Sequence, residues 1–243
     1  MELFTEISIE TIGACNRKCP TCIRNSSKEP EISSWFSGKK LSFKLIKKII
    51  FELKNMGYGG NICLQHYNEP LLDKRFPYIL KFIKDVLPNI KIFINTNGDY
   101  LNSELAEKID GLIDEIYISD YNNESNTKEG LLKFSTLFKK TKIIHHFVSH
   151  TTTHFSPKSD LDIKIAIYKY RICTATKYKL IINHLGEMLL CCEDIPPHFN
   201  LGNIKDLSLH DLWFNKKHEE LIKSLLIPEN RMKYAYCAIC PRR

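Results

Sequence analysis

Cysteine thiolates hold soft metals and iron–sulfur clusters, and nine cysteines stand in this chain of 243 residues. Three fall in one short run, Cys15-Asn16-Arg17-Lys18-Cys19-Pro20-Thr21-Cys22. Five fall near the other end, at Cys173, Cys191, Cys192, Cys237 and Cys240, and Cys63 stands alone. Three thiolates in one tight loop can hold three irons of a 4Fe–4S cluster and leave the fourth iron open to another ligand. A zinc site would want a fourth Cys or His nearby, and none lies between residues 1 and 62. Cys173, Cys191, Cys237 and Cys240 can enclose one 4Fe–4S cluster completely. They could equally form an all-cysteine zinc site. Cys192 could replace its neighbour Cys191 as the ligand.

The rest of the chain reads as a scaffold for these two groups. Hydrophobic residues make up 43% and charged residues 26%, the composition of a globular chain and not of a disordered one. No apolar run is long enough to cross a bilayer. Glu2 and Glu6 stand where a secretory signal would be basic, so a cytoplasmic location is expected. The net charge is +7, but its lysines are spread along helix faces (Lys44, Lys47, Lys48, Lys54). Solvated surfaces explain that better than a nucleic-acid partner.

Through residue 150, strand and helix signals alternate. Strands are expected at 6–11, 61–67, 90–95, 115–119 and 142–148, and helices at 41–56, 75–87, 104–109 and 129–140. Ser42 is the expected N-cap of the 41–56 helix, and Gly57 ends it. Repeated strand–helix units imply a parallel sheet with right-handed crossovers. Five strands do not close an eight-stranded barrel, so an open, partial TIM-like α/β barrel is expected over 1–150. A Thr-, Ser- and Pro-rich connector covers 151–165. A small domain over 166–243 holds a hairpin around Asn183-His184-Leu185-Gly186 and an amphipathic helix over 209–226.

The C-x3-C-x2-C loop after a first strand resembles the signature of radical S-adenosylmethionine (SAM) enzymes. In that family SAM chelates the open iron, and reductive cleavage yields a 5′-deoxyadenosyl radical that abstracts a substrate hydrogen. His66-Tyr67-Asn68-Glu69-Pro70 follows the second strand, where the family has Gly-Gly-Glu or Gly-Glu-Pro. The resemblance implies that Glu69 pairs with the SAM ammonium, with Asn68 in the place of the usual glycine. Asn95-Thr96-Asn97-Gly98 resembles the family's turn after the third strand, and Asn-Gly is also the commonest turn pair. Asn97 and Ser119, which ends the fourth strand, are further cofactor-binding candidates. Thr21 stands where an aromatic residue is common.

Gly186-x4-Cys191, Leu201-Gly202-Asn203-Ile204 and Cys237-x2-Cys240 resemble the SPASM/twitch domain of some family members. Four ligands match the shorter, one-cluster twitch version, so SAM and two 4Fe–4S clusters are the implied cofactors. The layout resembles small dehydrogenases of the family. That implies oxidation of a carbinol on a sugar or aminocyclitol, with the second cluster as electron acceptor and flavodoxin or ferredoxin as reductant. Peptide epimerisation or crosslinking is the alternative within the family, and a non-catalytic zinc module the alternative outside it. Arg171, beside Cys173, is either an anchor or base for substrate or a surface arginine. Cys63, expected to face the barrel interior with Gln65, is either a hydrogen-atom donor or a small buried residue. His145, His146, His150 and His154 lie near the expected active-site end of the fifth strand.

Overall fold

The computed structural model describes residues 1–19, 22–25, 30–120, 134–147, 171–238 and 240. Thr21, His150, His154, the connector 151–165 and the first five residues of the expected helix 129–140 lie outside them. The strands are β1 (Glu6–Ile9), β2 (Asn61–Cys63), β3 (Lys91–Thr96), β4 (Glu115–Asp120), β5 (Lys142–Phe147), β6 (Lys179–Ile182) and β7 (Met188–Leu189). They form one open sheet in the order β5-β4-β3-β2-β1-β6-β7. Strands β1 to β5 are consecutive parallel neighbours, as expected of a partial barrel. Strand β6 then adds to the free edge of β1, also parallel, with Ile7 opposite Leu180. β7 closes that side antiparallel to β6. The hairpin is where the sequence places it. Its merger with the first strand is new: the C-terminal region continues the sheet.

Helices α1 (Pro30–Trp35), α2 (Phe43–Asn55), α3 (Phe76–Val86) and α4 (Ser103–Ile109) lie within the first half. α5 (Ala175–Tyr178), α6 (Leu209–Trp213), α7 (Lys216–Leu225) and α8 (Ala235–Ala238) follow in the second. Helix α2 starts where Ser42 Oγ accepts from the Leu45 N–H at 3.2 Å, and Gly57 beyond its end takes a left-handed φ of 62°. It buries Ile46, Ile49, Ile50 and Leu53 completely, each worth about 1.5–3 kcal/mol as an upper estimate. The single helix expected over 209–226 is two. Asn215 breaks it, because its Oδ1 caps the next helix at the His218 N–H, 2.8 Å away, while its Nδ2 donates to the Leu212 carbonyl. A capping asparagine mid-helix competes with helical continuation.

Alternation along the strands divides the sheet into two faces. Ile7, Ile9, Ile62, Leu64, Ile92, Ile94, Ile116, Ile118, Leu180 and Ile182 join the main core with residues of α2, α3, α4, α6 and α7. The opposite face carries Ser8, Cys63 and Phe93 in register, and Ile181 there packs with Ile23, Ile32, Phe36, Leu189 and Ile195. This inner face positions the site.

Candidate functional site

The loop carrying Cys15, Cys19 and Cys22 leaves β1 and is held from three directions. Gly13 N–H donates to the Lys39 carbonyl at 2.8 Å, and Gly38 N–H donates back to Gly13 at 3.1 Å. Ala14 C=O accepts from the Glu69 N–H at 2.9 Å. The turn after β3 supplies the third grip. Arg17 meets Asp99 through two parallel bonds, Nε–Oδ2 at 2.7 Å and Nη2–Oδ1 at 2.5 Å. Asn16 Nδ2 donates to the same carboxylate at 2.6 Å, and Asn97 Nδ2 donates to Asn16 Oδ1 at 2.8 Å. The same Asn97 amide lies 3.9 Å from Cys15 Sγ, so the turn resembling the family motif touches the thiol loop directly.

The thiols resist ionisation unaided. Burial and the neighbouring Cys19 and Cys15 push Cys22 up to about 11, against the Arg24 charge, and burial also raises Cys15. A cationic iron core would supply the missing counter-charge, so this all-thiol set fits a cluster.

Glu69 is buried, only 2% exposed. Its Oε1 accepts from Thr96 Oγ1 at 2.7 Å and the Leu71 N–H at 3.1 Å, and Oε2 accepts from the Asn97 N–H at 2.9 Å. Burial raises its pKa against these three bonds. Asn68 Oδ1 accepts from the His66 N–H at 2.9 Å, which closes the local turn without a glycine. Asn68 Nδ2 is buried with no partner among the described residues. Ser119 is half-buried at the end of β4, opposite His146. His145 is paired with Ile118 and so faces the helices, its ring 6.2 Å from Phe134; it is not part of the inner face.

Cys63 faces inward as alternation implies, 1% exposed, its thiol donating to the Gln65 carbonyl at 3.6 Å. Burial pushes it up to about 11, partly opposed by Lys179.

At the C-terminal end, Cys173, Cys191, Cys237 and Cys240 line a single cavity with Asp194, Glu193 and Arg231. Cys192 points elsewhere, packing on the inner-face cluster around Ile181. Cys237 is pushed up to about 12 by burial and by Cys173 and Cys240, while Arg231 pulls it down. Four thiols around one opening fit a fully ligated cluster. Among the described residues no three His, Cys, Asp or Glu side chains converge as they would on a single ion. Arg171 is exposed, and its carbonyl accepts from Arg231.

Sequence reasoning missed a connection between the two thiol groups. His184, in the hairpin turn, meets Glu10 at the end of β1 with Nδ1–Oε2 at 2.6 Å, both side chains fully buried. Its ring covers Gly13 so closely that a Cβ there would lie 2.5 Å from Nε2. Arg24 Nη2 donates to the Gly13 carbonyl at 3.4 Å, and its guanidinium lies 4.1 Å over the Phe36 ring. Only a glycine before the first cysteine hinted at this; nothing in spacing pairs residue 10 with residue 184.

A model of the radical SAM superfamily matches residues 9–119, and a SPASM iron–sulfur cluster-binding domain matches residues 173–241. The chain carries a radical SAM domain and a SPASM-type domain. SAM and 4Fe–4S clusters are therefore its cofactors. This radical SAM chain is 24% identical over 242 residues to the S-adenosyl-L-methionine-dependent 2-deoxy-scyllo-inosamine dehydrogenase of Niallia circulans. The match covers 98% of this chain and 93% of that enzyme. Among solved structures, BtrN in complex with AdoMet and 2-DOIA superposes with a TM-score of 0.78 at 23% identity, over 98% of this chain and 92% of that one. Native anSMEcpe with bound AdoMet gives 0.64 at 15% identity, over 97% and 88%. These likenesses show the fold. No helix among the described residues is long and apolar enough to cross a membrane.

Proposed function

We propose that this radical SAM enzyme oxidises a carbinol of a sugar- or aminocyclitol-type small molecule to a ketone. In this reading residues 1–150 form the SAM-binding part, 151–165 the connector and 166–243 the auxiliary part. Cys15, Cys19 and Cys22 hold the SAM-binding cluster, and Cys173, Cys191, Cys237 and Cys240 hold the auxiliary one. The observation that carries the proposal is four thiols around one C-terminal cavity, with Cys192 turned away from it. A cluster with all four irons ligated by protein has no position for substrate, so it suits electron transfer. Similarity to a dehydrogenase over nearly both full lengths supports the same reaction.

Glu69 takes the SAM ammonium, Asn68 Nδ2 offers SAM a further buried donor, and Asn97, whose N–H bonds Glu69, and Ser119 are further candidates for holding SAM. When bound, the reduced cluster and SAM supply the radical that removes a hydrogen atom from the carbinol carbon. Cys173, Cys191, Cys237 and Cys240 would hold the auxiliary cluster, which would supply a one-electron acceptor, while a base would take the carbinol proton to complete a two-hydrogen oxidation. Arg171 is the candidate for anchoring or deprotonating substrate. A one-electron donor such as flavodoxin or ferredoxin supplies the electron that starts the reaction.

The test is turnover of candidate aminocyclitols in D₂O by the reconstituted enzyme. The product should be two hydrogens lighter than substrate, with no solvent deuterium at the radical carbon, and Cys63→Ala should retain activity. A product one mass unit heavier than substrate, carrying one carbon-bound deuterium, together with an inactive Cys63→Ala, would replace oxidation by epimerisation.

A further inference from the structure

Arg231 is buried inside the auxiliary cavity, 1% exposed, among Cys173, Cys191, Cys237 and Cys240. Its Nη1 donates to the Arg171 carbonyl at 3.4 Å and its Nη2 to the Cys240 carbonyl at 3.3 Å. These two bonds tie the guanidinium to both ends of the thiol set, one just before Cys173 and the other on Cys240 itself. A guanidinium keeps its charge in proteins. Two acids line the same cavity, Glu193 at 3% and Asp194 at 1% exposure. Asp194 is committed to the fold, since Oδ2 accepts from the Leu190 N–H at 3.0 Å and Oδ1 from the His198 N–H at 2.7 Å.

A cluster held by four thiolates is negative, and reduction adds one more negative charge. Buried acids oppose that electron and a buried cation favours it, more strongly than in water because the surroundings screen poorly. We infer that Arg231 is a positioning residue for electrons: its fixed charge raises the reduction potential of the auxiliary cluster, so that this cluster accepts the electron of the substrate radical. The inference rests on the reading that the four C-terminal thiols hold a 4Fe–4S cluster.

The experiment is an anaerobic redox titration with dithionite, followed by electron paramagnetic resonance. It uses the full chain with Cys15, Cys19 and Cys22 replaced by Ala, so that one cluster reports. Arg231→Lys should stay near the parent potential. Arg231→Met and Arg231→Gln, the latter keeping amide donors for the two carbonyls, should make reduction at least tenfold less favourable, which is 59 mV for one electron. Four irons with an unchanged potential in the neutral variants would overturn the inference and leave the cluster reading standing. A shift as large in Arg231→Lys would show that charge is not the cause and overturn it too. Loss of iron from both neutral variants would make the arginine purely structural and likewise overturn the inference. A parent that holds no iron would overturn the cluster reading itself.

Discussion

His184 Nδ1 lies 2.6 Å from a carboxylate oxygen of Glu10, and neither side chain reaches solvent. The His184 N–H also donates to that oxygen at 3.2 Å, and the other oxygen accepts from the Tyr67 N–H at 3.2 Å. Burial raises the Glu10 pKa, but bonding to His184 and the charges of His66 and His184 outweigh it, so the carboxyl sits below its usual range. One acid thereby joins the end of β1, the segment after β2 and the C-terminal hairpin. Removing His184 leaves the buried Glu10 carboxylate without its side-chain partner, a loss of about 1–3 kcal/mol for an unsatisfied buried group. His184→Ala should lose stability on that scale in denaturant titrations of the anaerobic holoenzyme, and a loss below about 1 kcal/mol would show that the pair is not a structural tie.

Iron content separates the two thiol groups. With Cys15, Cys19 and Cys22 replaced by Ala, the chain should retain about four irons. It should also lose reductive cleavage of SAM to 5′-deoxyadenosine. Cleavage persisting in that variant would remove these cysteines from the reaction.

The Glu69 carboxyl already accepts three hydrogen bonds, so its oxygens are held in place before SAM arrives. Glu69→Gln should weaken SAM binding by about one to two decades, the equivalent of a charge-assisted bond of roughly 1.5–3 kcal/mol. Iron content should not change. Equal SAM affinity in anaerobic binding measurements would restrict Glu69 to capping the 3-10 turn at Pro70–Leu72.

His66 gives the protein a defined acid sensitivity. Burial lowers its pKa from an ordinary 6.5 to about 4, against the pull of Glu10. Between those values the unfolded chain binds a proton that the folded chain does not, so stability rises with pH there and levels off above 6.5. The loss on acidification should be on the order of 2 kcal/mol, discounted because part of the residue is solvent-accessible. Urea midpoints at about pH 7.5 and 5.5, on either side of the ordinary histidine value, should differ in the parent and differ less in His66→Phe. An equal acid shift in both would place the titration elsewhere.

The sequence reveals the parallel strand–helix order because Ile7, Ile9, Ile62, Leu64, Ile92 and Ile94 alternate with residues of the other face and have helices between them. It reveals the thiol groups because closely spaced cysteines stand out in the chain. Cys191 and Cys192 are adjacent, so spacing alone does not separate them, whereas the chain after the hairpin sends them to different sides. Glu10 with His184, Arg17 with Asp99, and Arg231 beneath the thiols all join residues distant in sequence or set inside irregular turns, where no periodicity marks a partner. Asn215 becomes legible as a cap only where the helices on either side part.

The insertion of β6 beside β1 also sets an order of events during synthesis. β1 finds β2 after about fifty residues, but its other edge, where Thr5 N–H bonds the Tyr178 carbonyl, stays bare until the hairpin has been made. Pairing across so long a loop is slow, and an open strand edge invites association with other chains while it waits. The thiol loop that follows β1 is thus made well over a hundred residues before the His184 that covers it. A chain stopped before residue 179 would have its thiol loop beside an unprotected strand.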